Sequence, residues 1–157
     1  MAQTSAGLLM YRCKNNTLEV FLVHPGGPFW QNKDLGAWSI PKGLYTVNEA
    51  PLEAAIREFC EELGFRPEVT DPLELGEIRQ KSGKRVVAWA FEGDCDPACI
   101  TSNAFEMQWP PKSGMMRRFP EVDRAEWFDC QTAREKINPG QIPFIDAMER
   151  HLTAIKE

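Results

Sequence analysis

The chain has 157 residues, enough for one domain with a real core, and its 43% hydrophobic and 26% charged residues are those of a globular protein. A net charge of -5 argues against a general nucleic-acid binder, though not against a small polyphosphate whose charge a bound cation offsets. No apolar run approaches a membrane span, and Met1 to Ser5 has no basic or apolar leader, so a cytoplasmic protein without membrane contact is expected.

Ser5 to Cys13 is apolar with small residues and reads as a buried strand. Asn15-Asn16 makes a turn, and Leu18 to His24 is a second strand, so the two form a hairpin. Pro25-Gly26-Gly27-Pro28 opens a loop through Asp34, structural or a rim of a substrate pocket. His24 reads as a strand-end histidine. Ala37 to Gly43 leads into a helix from Ala50 to Leu63, with Pro51 tolerated in its first turn and Gly64 as its stop. Pro72 to Gln80 and Lys84 to Glu92 form a second hairpin around Ser82-Gly83. Arg79, Lys81, Lys84 and Arg85 cluster at its tip, as charged edge strands often do.

Gly93 to Asn103 reads as a loop, Phe105 to Trp109 as a short strand, and Pro110 to Pro120 as a proline-bounded loop. That last loop carries Lys112, Arg117 and Arg118 and no acid. Reaching over a site, it would hold substrate phosphates through Lys112 and Arg118 or Arg117; otherwise it is a solvated connector. Glu121 to Phe128 is a further strand entry. Gln131 to Ile137 and Gln141 to Ile155 are helices, and Phe144, Ile145, Met148 and Leu152 give the last one a core-facing stripe. Cys13, Cys60, Cys95, Cys99 and Cys130 are odd in number and show no framework spacing, so free thiols are expected.

The chemistry concentrates in the Ala50 to Leu63 helix. On a wheel of about 100° per residue, Glu61 and Glu62 fall about 60° and 40° to either side of Glu58. Leu52, Ile56, Phe59 and Leu63 fall roughly 100° to 160° away. Three carboxylates at this spacing repel in a bare helix. A hard divalent cation reverses that repulsion, because carboxylate oxygens suit Mg²⁺ and Mn²⁺. Arg57 flanks the cluster at four-residue spacing from Glu53 and Glu61 and can brace it.

Gly43, Glu49 and the run Arg57-Glu58-Phe59-Cys60-Glu61-Glu62-Leu63-Gly64-Phe65 resemble the complete box of the Nudix hydrolases, G-x5-E-x7-R-E-U-x-E-E-x-G-U with U apolar. Seven fixed positions at roughly 7% usage each match by chance on the order of 10⁻⁸ per start. The resemblance implies a single domain over residues 1–157 with the fold of an α/β/α sandwich around a mixed sheet. It implies Mg²⁺- or Mn²⁺-dependent hydrolysis of a phosphoanhydride in a nucleoside diphosphate linked to another moiety; monomer and homodimer both stay open. Glu58, Glu61, Glu62 and the carbonyl of Lys42 are then the metal ligands. Glu58 or Glu121 serves as the base on water, Arg57 orients the carboxylates, and Glu49 buttresses Arg57. Gly43 allows the close backbone approach, Gly64 ends the helix, and Asp123 and Glu126 are lesser alternatives to Glu121.

For substrate, the resemblance is less direct. Relatives acting on ADP-sugars often carry a Pro about fifteen residues past the box, where Arg79 stands. Those acting on dinucleoside polyphosphates often carry a Tyr slightly later, where Gln80, Lys81 and Ser82 stand. The opening Ala6 to Arg12, with Val20 to Val23 and Trp38 to Gly43, is similar to the diadenosine tetraphosphate and diphosphoinositol branch. A dinucleoside polyphosphate is the expected substrate and a nucleoside triphosphate the alternative. A non-turnover nucleotide sensor is the contrasting reading, disfavoured because every box carboxylate is kept.

Overall fold

The computed structural model describes residues 4–156, and of Ile155 and Lys156 only the backbone. Met1 to Gln3, the start of the segment read for a leader, lie outside the described residues. Strand β1 (Thr4–Lys14) turns through Asn15 and Asn16 into β2 (Thr17–Pro25). Both asparagines sit at positive φ, 54° and 63°, the conformation a two-residue hairpin demands. Then follow β3 (Lys42–Leu44), α1 (Pro51–Leu63), β4 (Leu73–Arg79), β5 (Arg85–Glu92), β6 (Ala104–Gln108), β7 (Met116–Pro120), β8 (Val122–Asp129), α2 (Cys130–Lys136) and α3 (Ile142–Lys156).

The main sheet runs β4-β5-β1-β2-β8, with β3 also paired to β1. β1 and β5 are parallel and the other pairs antiparallel, so the sheet is mixed. Alternation splits the core between its faces. Ala6, Leu8, Met10, Phe21 and Val23 pack with Ala54, Ala55, Phe59 and Leu63 of α1. Leu9, Val20, Leu22, Trp38 and Phe128 pack with Phe144, Ile145 and Met148 of α3. The result is the expected α/β/α sandwich. No described helix is long and apolar enough to cross a membrane.

One detail positions the site. β5 takes one edge of β1 along its length, so β2 and β3 share the other: β2 pairs with Tyr11 to Lys14, β3 with Ser5 to Gly7. The two strands part between those stretches. A cavity of about 150 Å³ opens there, lined by Val23, Ser39, Lys42, Glu62 and Glu121.

The structure corrects the Pro110 to Pro120 segment. Met116–Pro120 is a strand, pairing with β6 in a separate two-stranded ribbon. Its prolines stand at the tip and the base, where no ladder hydrogen bond is lost, and Met116 to Phe119 between them are free to pair.

Candidate active site

Helix α1 carries the acidic ridge. Pro51 stands in its first turn and Gly64 ends it at φ 83°, donating its N–H to the Cys60 carbonyl at 2.8 Å. Ala54, Ala55, Ile56, Phe59 and Leu63 face the sheet, which leaves Arg57, Glu58 and Glu61 on the outward arc and Glu62 at its edge, under the Lys42 backbone. Glycine at 43 leaves room for the Glu58 carboxylate: an added Cβ would lie 2.0 Å from it, so the end of that side chain would have to turn away. Next to it, the Lys42 N–H donates to Glu62 Oε2 at 3.0 Å.

Arg57 is the hub. Its Nε and one terminal nitrogen donate to the two oxygens of Glu49 at 2.8 and 3.0 Å, a bidentate pair. Its other terminal nitrogen donates to Glu58 Oε1 at 2.8 Å and Glu61 Oε1 at 3.3 Å. Glu53 takes no part in the described ion pairs.

Glu121 comes from another element, the junction of β7 and β8. Its N–H donates to the Asn103 carbonyl at 2.8 Å, and its carbonyl accepts from the Gly26 N–H at 2.9 Å. The 101–103 segment also ties to the helix end: Thr101 N–H donates to the Leu63 carbonyl and Asn103 N–H to that of Glu61, both at 3.0 Å. These bonds satisfy carbonyls that a helix end otherwise leaves open. They also fix Glu121 relative to α1.

The carboxylates crowd one another. Burial, opposed by the Lys42 N–H and ammonium and reinforced by Glu58 and Glu121, pushes the Glu62 carboxyl up to about 8. Burial raises Glu58 too, against the Arg57 hydrogen bond and with Glu61 and Glu121 adding to it. Glu121 is raised by burial and then by Glu61. Glu49 is lowered by its bond to Arg57. Lys42 is lowered by burial and by the nearby Lys84, with Glu62 and Glu58 opposing.

Among the described residues, no three acidic, imidazole or thiol groups form a closed cation cage. The Arg57 guanidinium stands between Glu58 and Glu61 instead. The donor set still fits a hard cation: it is all oxygen, negatively charged, and Glu61 is open enough at 39% exposure to turn.

Lys112, Arg117 and Arg118 are not gathered with this cluster. Lys112 sits at the ribbon tip, and at ~3.3 Å per residue four residues of β6 hold it more than about 10 Å from the base at Glu121. Arg117 pairs with Met107 and Arg118 with Glu106, so the two arginines point to opposite faces of the ribbon. Only Arg117 shares the face of Phe105 and Phe119.

Two residues with functional placement gave little signal in the sequence. Gln141, fully buried, accepts from the Ile40 N–H at 3.0 Å and donates to Ser39 Oγ at 3.0 Å, which holds the strand leading to Lys42. His24, also fully buried, contacts Asp123 Oδ1 through Nδ1 at 2.8 Å and the Lys33 carbonyl through Nε2 at 2.6 Å. Both ring nitrogens are engaged, so His24 is an anchor for the loop that follows it.

The family model described as NUDIX domain matches residues 1–148. Octanoyltransferase of Myxococcus xanthus is 31% identical over 102 residues, 65% of this chain and 25% of that protein. RNA pyrophosphohydrolase of Psychromonas ingrahamii is 36% identical over 66 residues, 41% of this chain and 35% of that protein. The chain spans between 11% and 50% of the length of the curated relatives it matches. Among solved structures, a C. elegans Ap4A hydrolase binary complex superimposes with a TM-score of 0.67 at 19% identity, covering 96% of this chain and 98% of that one. With the box complete, the sandwich in place and the family model spanning nearly all its length, this chain belongs to the Nudix family.

Proposed function

We propose that this domain is a metal-dependent pyrophosphohydrolase, cleaving a phosphoanhydride in a nucleoside diphosphate linked to a second moiety. The observation that carries this reading is the run of carboxylates on one stretch of α1, with Glu58 against Gly43, Glu58 and Glu61 joined through Arg57, and Glu62 sharing a small cavity with Glu121 and Lys42. Mg²⁺, or Mn²⁺, would be held by Glu58, Glu61, Glu62 and the Lys42 carbonyl. When bound, such a cation neutralises charge on the phosphoryl oxygens and acidifies a water molecule.

The chain's own groups supply the rest. Arg57 holds Glu58 and Glu61 in a fixed orientation and is itself fixed by Glu49. Glu58 and Glu121, both of raised basicity, are the two candidates to take a proton from the attacking water. The Lys42 ammonium would meet a phosphate oxygen entering the cavity that Lys42 lines with Glu62 and Glu121. Arg117, from the inner face of the ribbon, is better placed to reach substrate than Lys112 or Arg118.

A dinucleoside polyphosphate is the preferred substrate, supported by the character of the Ala6 to Arg12 and Trp38 to Gly43 segments. A triphosphorylated RNA 5′ end is a second reading, favoured by the similarity to RNA pyrophosphohydrolases. It needs recognition of one chain end only, which a net charge of -5 permits. A panel of diadenosine polyphosphates, nucleoside triphosphates, ADP-ribose, diphosphoinositols and triphosphorylated RNA, with Mg²⁺ and 18O-labelled water, tests the proposal. Metal-dependent cleavage of at least one anhydride is expected. Nucleotide binding without turnover of any of them would make the domain a sensor.

A further inference from the structure

The loop between His24 and Asp34 exposes aromatic surface that the core does not use. Phe29 is 58% exposed and Trp30 41% exposed. Phe29 meets Trp109 of the ribbon edge to face, with ring centroids 5.5 Å apart and an interplanar angle of 82°. The Lys33 ammonium lies 4.9 Å from the Trp30 ring centroid. Aromatic side chains left this open lose the burial that normally repays them.

The loop is nonetheless held in place. At its start, Gly26 donates to the Glu121 carbonyl at 2.9 Å, and a Cβ there would lie 2.0 Å from the Pro120 carbonyl oxygen. Gly27, at φ 98°, lies against the Phe105 ring, 2.9 Å from where a Cβ would stand. At its far end, the Lys33 carbonyl is bound by the buried His24 ring. The loop that carries Phe29 and Trp30 therefore starts from the backbone of Glu121 and the rim of the small cavity by Glu62, and reaches toward the ribbon tip at Trp109. Lys33, over the Trp30 ring, and Arg117, on the ribbon face of Phe105 and Phe119, have no acidic partner among the described ion pairs.

We propose that Phe29, Trp30 and Trp109 form a stacking platform for a nucleobase of the substrate, with Lys33 and Arg117 beside it for the adjoining phosphates. Exposed rings, with cations that have no acidic partner near them, fit a planar base joined to an anionic chain: a base can stack on the free face of either Phe29 or Trp30, and Lys33 can turn from Trp30 to a phosphate. The loop is tied by hydrogen bonds at both ends, which limits the conformational entropy lost on binding. The platform deepens the proposed activity, since it assigns the nucleoside half of the substrate to a place in the fold. Stacking tolerates any base, so it sets the preference for nucleotides over other polyphosphates rather than a preference among bases.

The test uses binding rather than turnover. Adenosine monophosphate and inorganic pyrophosphate are titrated calorimetrically, without metal, into the wild type and the Phe29→Ala, Trp30→Ala and Trp30→Phe variants. Thermal melts confirm folding, which substitution of exposed side chains should preserve. Affinity for adenosine monophosphate is expected to fall about 5- to 100-fold in both alanine variants, with Trp30→Phe recovering most of it. Pyrophosphate affinity should change less than about twofold. Equal loss for both ligands, or none for either, overturns the platform. So does a wild-type dimer that the alanine variants dissociate in light scattering, because the aromatic face then belongs to a second copy. The outcome is separable from the proposed activity: hydrolysis with unaltered nucleotide binding in the variants removes only the platform, and variant-sensitive binding without hydrolysis removes only the activity.

Discussion

At the level of single residues, Glu62 ties stability to chemistry. In the folded chain burial pushes its carboxyl up to about 8, against roughly 4.3 for an unfolded glutamate. Between those values the native state binds the extra proton, so metal-free stability falls as pH rises across that window. Glu58 and Glu121 are raised in the same direction and add to the slope. The melting temperature without metal should therefore be lower at pH 8.5 than at pH 5.5. Glu62→Gln should flatten that dependence and raise the metal-free melt at pH 8.5 by several degrees, while cutting kcat at least about 100-fold. Glu61→Gln should cut kcat comparably with a normal melt. Near-normal turnover in both would remove these carboxylates from the reaction. Gly43→Ala should drive Glu58 off its position, since the new methyl overlaps the carboxylate. A fall in kcat of more than about tenfold is expected, with little change in stability by urea unfolding, because the displaced group is the end of a flexible side chain.

At the level of elements, the site depends on a second segment being tied to the first. α1 supplies the carboxylates, but residues 101–103 and Gly26 determine where Glu121 stands. Gly64→Ala should weaken the first of these: it forces a side chain into a left-handed conformation and brings its Cβ to 2.6 Å from the Thr101 carbonyl oxygen. A cost of about 1 kcal/mol or more and a lower kcat are expected, read by urea unfolding and steady-state kinetics. The ribbon makes a comparable prediction for substrate. Arg117→Ala should raise KM for a polyphosphate nucleotide about tenfold, whereas Lys112→Ala should leave it nearly unchanged. The reverse order would place the ribbon tip, and not its inner face, over the site.

At the level of the whole molecule, the sheet is built so that a gap appears on one edge of β1. β2 and β3 both pair there, part company, and leave Lys42, Glu62 and Glu121 around the opening. A larger cavity, about 670 Å³, lies by Tyr11, Arg66 and Asp94 and contains none of the acidic ridge. Size alone is therefore no guide to the chemistry here. Because a cation would bind the folded cluster and not the dispersed carboxylates of the unfolded chain, millimolar Mg²⁺ should raise the melting temperature at pH 8, and chelator should reverse the rise. The shift should disappear in Glu62→Gln.

What could be read from the chain was local. The α1 ridge follows from helical periodicity and a closing glycine, and the two hairpins follow from turn residues between apolar runs. The carboxylates of the ridge share one backbone segment, so their common direction needs no knowledge of the rest. What could not be read depended on partners distant in sequence. Met116–Pro120 became a strand because β6 offered a partner, and that pairing separated Arg117 from Arg118. Gln141 and His24 acquired their roles from the Ile40 N–H and the Lys33 carbonyl, whose positions arise only when the sheet closes. Periodicity thus determined which groups one helix gathers, while long-range hydrogen bonding decided which other segments meet them, because a residue's neighbours across a sheet are set by register and not by its own sequence.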